Sequence, residues 1–240
     1  MKDEKKLITS IVILFLALWL PLGQHNFLIE HWMKIGTYAI PFLSIGIFAF
    51  KDKSSDLPLV SDFRLLALIL LVVYIIHQFE EHWIDLYGNY YAFYEYNNNF
   101  IRSVLDETDT SINPLSKASV FVINTSLVWL LGFLSIWRSP KHVFPLFAMN
   151  GIIAINGLVH ILASLVNWVY NPGLLTSVVL FIPIYFWTIR QTRNHITNYK
   201  TNIIYGLIWA FLAHVIMIAG FLLANWFKII PEYLYWIALV

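Results

Sequence analysis

Four ionisable side chains crowd six positions of the stretch Ile75-Ile76-His77-Gln78-Phe79-Glu80-Glu81-His82-Trp83. They follow residues 65–76, which carry only apolar side chains and one tyrosine. Within a transmembrane helix, charge at such a place is expensive and needs partners. At 100° per residue, Glu80 and Glu81 flank the helical face of His77, whereas His82 points roughly 140° away. One imidazole and two carboxylates on a single face can hold a divalent cation or pass a proton. Imidazole nitrogen and carboxylate oxygen suit Zn(II), Fe(II) or Mn(II). The chain has no cysteine, which removes thiolate ligation, a cysteine nucleophile and any disulfide framework.

Further polar groups lie elsewhere in apolar surroundings. Asn156, Ser164 and Asn167 all fall within about 40° of His160 on a helix, forming a polar stripe down one face. In lipid such a stripe faces other helices or a wet cavity. Ser164 and Asn167 read as hydrogen-bonding contacts between helices, and His160 as a partner of the His-x-x-Glu-Glu face. His214 stands in another apolar run, and His25 follows the first one. His31 and His82, each beside a tryptophan, read as membrane-interface anchors. The stretch Ile29-Glu30-His31-Trp32 matches Glu80-Glu81-His82-Trp83 at three of four positions.

The elements that must position these residues are membrane helices. The chain is 59% hydrophobic and 12% charged, against about 25% charged in soluble domains. Its net charge of +1 and lack of a basic cluster give no nucleic-acid signature. Apolar periodicity predicts an all-α polytopic transmembrane bundle forming one integral membrane domain over 1–240. Seven spans are expected: 7–22, 36–50, 63–79, 119–137, 143–169, 173–189 and 202–226. The second is short and interrupted by Pro41. The first reads as a retained span, since Pro21, Gly23 and His25 replace a small-residue cleavage site.

Placing the N-terminus inside and the C-terminus outside puts 11 of the 15 lysines and arginines in inner segments, as the positive-inside rule asks. The first, third, fifth and seventh spans then run outward. At ~1.5 Å per residue, His25, His77, His160 and His214 fall within about 10 Å of one another in height, in the outer leaflet. The outer segment 84–118 begins with an aromatic and amide cluster, 87–100, and reads as an ordered layer at the headgroups and a lid over the site. The tail 229–240 is apolar, aromatic and too short to span, so it is expected at the interface.

His77-x-x-Glu80-Glu81, then Asn156-x-x-x-His160, then Tyr170-Asn171-Pro172-Gly173-Leu-Leu-Thr176 resembles the HXXEE-domain membrane proteins. The resemblance implies a small polytopic bacterial plasma-membrane protein and no established activity. Its characteristic positions here are His77, Glu80, Glu81, Asn156, His160, Tyr170, Pro172, Gly173 and Thr176. Relatives often follow the glutamates with a Pro-Gly-Gly-Phe-Pro-like turn, where this chain has Trp83-Ile-Asp-Leu-Tyr-Gly-Asn-Tyr. Pro172 and Gly173 suit a tight turn that opens the sixth span and holds Tyr170 and Thr176 near the height of His160.

The chemistry that fits first is a metal-dependent membrane enzyme. His77, Glu81 and His160 are the expected ligands, with His214 or His25 completing the sphere. Glu80 is the expected general base, and Asn156 the residue that orients His160. The substrate is expected to be amphipathic and reached from the outer leaflet among membrane lipids. The motif is neither the HExxH zincin pattern nor its inverted HxxEH form, because position 81 is Glu. The same cluster also suits a proton- or cation-coupled transporter, and a non-catalytic scaffold would pair these groups only with one another.

Overall fold

A computed structural model describes residues 9–10, 13–14, 25–53, 63–104, 106, 115–138 and 142–227. Among them the regular structure is helical, apart from one isolated β-bridge between Ile84 and Tyr90. We number seven helices: α1 Asn26–Lys53, α2 Phe63–His82, α3 Ala92–Val104, α4 Lys117–Arg138, α5 Phe144–Asn167, α6 Leu174–Thr192 and α7 Tyr199–Phe227. Five of these, α2, α4, α5, α6 and the 199–219 part of α7, are long and apolar enough to cross a membrane. The expected first span and the tail 229–240 lie outside the described residues, save for the four isolated positions above.

The expected second span corresponds to part of α1, and here the expectation is corrected. Instead of breaking at Pro41, the helix runs through it for 28 residues. Proline removes one amide donor, a loss that membrane helices tolerate through local adjustment.

α2 is the hub of the bundle. It touches α1, α3, α4, α5 and α6, so nearly its whole circumference is interior. Phe63, Leu66, Leu70 and Tyr74 pack with Val128 of α4, Met149 and Ile152 of α5, Phe181 of α6 and Ala210 of α7. A second cluster joins Trp32 and Met33 of α1 to Leu115 and to Val120 and Phe121 of α4. α5 and α7 meet backbone to backbone: a Cβ added at Gly151 would strike the Gly206 carbonyl, and one at Gly206 the Phe147 carbonyl. Small residues give membrane helices this close approach. Leu162, Leu165 and Val166 of α5, Phe186 of α6 and Phe211 of α7 are exposed, an apolar outer face suited to lipid.

Two spans contain a widened, π-type turn. In α4 it covers Asn124–Trp129, and in α6 it covers Ser177–Phe181. Such turns are frequent at functional sites because they re-aim neighbouring side chains. The segment between α5 and α6 is equally specific. Trp168 ends α5 in the left-handed region at φ 52°, and Gly173 opens α6 at φ 97°.

Candidate functional site

His77 and Glu81 lie one turn apart on α2, and the α5 ridge brings His160 against them. One ligand atom from each falls within 4.8 Å of the others, and all three residues are buried. His160 Nε2 is 2.9 Å from Glu81 Oε1, and His77 Nε2 is 3.4 Å from Glu81 Oε2. The His77–Glu81 separation matches the about 3.4 Å edge of a tetrahedron with ~2.1 Å arms.

The surrounding hydrogen bonds assign the proton on each ring. Thr176 Oγ1 donates its single proton to Glu80 Oε2 at 2.5 Å. Toward His77 Nδ1, 2.7 Å away, the hydroxyl can then only accept, so His77 carries its proton on Nδ1. The Asn171 amide is oriented by its Nδ2, which donates to the His160 backbone carbonyl at 2.8 Å. Its Oδ1 therefore meets His160 Nδ1 at 2.6 Å as an acceptor, and His160 is also protonated on Nδ1. Both rings turn an Nε2 lone pair toward the Glu81 carboxylate. His77 Nε2 is buried and has no hydrogen-bond partner. Acceptors gathered in this way repel one another unless a cation lies among them.

Asn171, not Asn156, orients His160, which corrects the expectation. Asn156 Nδ2 instead donates to the Tyr74 hydroxyl at 2.6 Å. The two asparagines differ in reach: Asn171 stands in the turn beyond α5 and can address both the ring and the main chain of His160.

Glu80 is a clasp. It accepts from Tyr170 Oη at 2.9 Å, Leu175 N at 3.0 Å, Thr176 N at 2.7 Å and Thr176 Oγ1. Its carboxylate thereby caps the first turn of α6 and ties it to α2. With both oxygens taken by donors, Glu80 has no geometry for the expected role of general base. Burial raises the Tyr170 phenol above its ordinary range, with Glu80 adding to the effect. Tyr170 thus stays a donor to Glu80 while it accepts from Leu86 N at 3.1 Å.

Pro172 and Gly173 close the floor. A Cβ added to Gly173 would lie 2.7 Å from His160 Cε1 and 2.9 Å from both Glu81 Cγ and His77 Cε1. The positive φ and this contact with all three residues together require glycine. His77 is further fixed by Phe181, whose ring lies 4.1 Å from it between centroids at an interplanar angle of 32°.

His82 was placed on another face by its helical angle, and here the structure differs. It is buried, with Nε2 3.2 Å from Glu81 Oε2. The reason is that α2 is enclosed on several sides, so a residue 140° from His77 is still inside the bundle. A directional chain reaches it. Trp129 Nε1, which can only donate, bonds Gln78 Oε1 at 2.8 Å. Gln78 Nε2 then donates to Asn124 Oδ1 at 2.9 Å, and Asn124 Nδ2 faces His82 Nε2 at 3.3 Å. His82 Nε2 therefore accepts from Asn124, and its lone pair is taken up there. Trp32, from the repeated tetrapeptide, packs its ring 5.1 Å from that of His82.

Neither expected completing ligand joins the cluster. His25 is exposed before α1. His214 spends Nδ1 on the Ala210 carbonyl at 2.8 Å. Common depth did not bring them together, because lateral position depends on helix order and rotation. Ser164 bonds locally to Val169 O, whereas Asn167 Nδ2 donates to Ala163 O and also to Tyr96 Oη of α3 at 3.4 Å, the contact between helices expected of it.

Beside the cluster lies a cavity of about 570 Å³ whose wall includes Glu81, His82, His160 and His214 amid mostly apolar side chains. The volume is that of a small-molecule pocket. α3, from the aromatic and amide cluster 87–100, roofs it with Phe93, Tyr96 and Phe100, and Phe93 packs edge-on against the His82 ring, 4.8 Å away.

Residues 68–188, half of the chain, match the family described as "Protein of unknown function with HXXEE motif". No curated protein and no solved structure matches the chain.

Proposed function

The chain belongs to the HXXEE family, and we propose that this member is a metal-dependent membrane enzyme acting on an amphipathic or lipid-like substrate. The orphaned Nε2 of His77 carries this reading. A single proton between His160 and Glu81 would relieve only that pair and leave the His77 lone pair facing a carboxylate. One divalent cation relieves all three groups at once. His77, His160 and Glu81 are the ligands, held by Thr176 and Asn171 through hydrogen bonds of the kind that orient metal-binding histidines. The donor set of two imidazoles and a carboxylate suits Zn(II), Fe(II) or Mn(II).

When bound, such an ion supplies Lewis acidity toward a carbonyl or a water, the basis of hydrolysis and related reactions. The protein's own part is to hold the ligands and to exclude bulk water beneath α3. The reading includes seven spans with the N-terminus inside and the C-terminus outside, in a bacterial plasma membrane, which sets the cluster in the outer leaflet. The five helices long and apolar enough to cross a membrane support the membrane reading, and the basic inner loops support the orientation.

The test is elemental analysis of the full chain purified in mild detergent without chelators. Near-stoichiometric transition metal, lost in His77→Ala and His160→Ala, is the expected result. Metal-free wild-type protein would sink the proposal. A second reading draws on the 2.9 Å contact between His160 and Glu81: a shared proton there suits a proton-coupled transporter. It predicts proton flux in proteoliposomes that Glu81→Gln abolishes.

A further inference from the structure

The cavity wall carries more chemistry than the three ligands use. Glu81 offers a carboxylate, beside His82, whose Nε2 already accepts from Asn124. His214 adds a second acceptor: with Nδ1 donating to the Ala210 carbonyl, the ring keeps a lone pair on Nε2. Among the described residues no lysine or arginine lines the cavity. A phosphate or carboxylate head would find no cationic side chain among them, whereas a hydroxyl would find acceptors.

The rest of the wall is mostly apolar, with asparagines such as Asn97 and Asn156 among its side chains, and it is open at one side. Val159, Leu162 and Val166 of α5 and Ile218 of α7 line the cavity and are also exposed, between 44% and 76%. These positions lie on helices apolar enough to span a membrane, so the mouth faces hydrocarbon. A ligand can bring an acyl chain in sideways and need not lift it through water, a step that costs about 0.8 kcal/mol per CH₂.

We propose that the cavity between α3, α4, α5 and α7 binds a single-chain amphiphile with an uncharged, hydroxyl-bearing head, the head against Glu81 and His214 and the chain past Leu162 and Val166. This deepens the enzyme reading by naming its substrate class and rests on that reading for the word substrate. The binding itself stands on the cavity.

The experiment is native mass spectrometry of the detergent-solubilised full chain. The probes are a monoacylglycerol, a lysophosphatidic acid and a free fatty acid of equal chain length, with metal content measured on the same preparations. The expected result is a preference for the monoacylglycerol on the order of tenfold. Ala163→Trp, which fills the half-buried middle of the wall, abolishes it with metal content unchanged. Ala163→Leu, a milder filling, weakens it and covers the case in which the tryptophan variant does not fold. Equal or tighter binding of either acidic lipid overturns the proposal, as does binding that both filling variants leave intact, or no binding at all. Metal-free protein that keeps the preference sinks the enzyme reading alone. Metal-loaded protein without the preference sinks this proposal alone.

Discussion

The hydroxyl of Thr176 gives its proton to Glu80 and takes one from His77 Nδ1, at 2.5 and 2.7 Å. One side chain of α6 thereby locks two residues of α2 that stand three positions apart. The tautomer of His77 depends on this bond, and so does the direction in which its free lone pair points. His77 and Glu80 thus share a single hydroxyl.

Thr176→Val keeps the shape and removes the acceptor. Loss of a partner that orients a ligating histidine lowers metal affinity about 10–100-fold. Titration against a competing chelator should show a fall of this order, with Thr176→Ser close to wild type. Unchanged affinity in Thr176→Val would show that the His77 ring is oriented by other means.

Glu80→Gln leaves donors from Tyr170, Leu175 and Thr176 facing an amide. The expected cost is about 1–3 kcal/mol of stability, read as a lower melting temperature, while the folded fraction keeps its metal. A general base would behave in the opposite way, with melting unchanged.

Gly173→Ala places a methyl group among His160, Glu81 and His77 in a backbone conformation unfavourable to alanine. Strain of this kind costs about 1–3 kcal/mol. The variant should melt earlier and lose metal together, unlike Glu80→Gln. A variant that retained full metal content would argue that the cluster has room to expand.

Trp129→Phe removes the donor-only group that orients Gln78, and through it Asn124 and His82. Nitrogen chemical shifts of the histidine rings should change for His82 and stay fixed for His77 and His160. A spectrum in which all three remain unaltered would break the proposed chain.

Composition and apolar periodicity determined the helical class, since the length and polarity of a membrane segment are local properties of the chain. They also singled out the one-turn pair His77 and Glu81, because an i, i+4 step fixes their relation before any folding. His160 stood out by being polar in an apolar span. The partners of these residues were beyond such reasoning. Whether Asn156 or Asn171 addresses His160 depends on a turn closed by Trp168 and Gly173. Glu80 was legible as a carboxylate near the site but not as a cap on α6, because its four donors come from residues about ninety positions away. His82 was misplaced because a helical wheel assumes one buried face, and α2 is enclosed on several. Depth along a helix follows from counting residues, whereas position across the bundle follows from how side chains interlock. That lateral packing excluded His25 and His214 from the cluster and brought His82 to its edge.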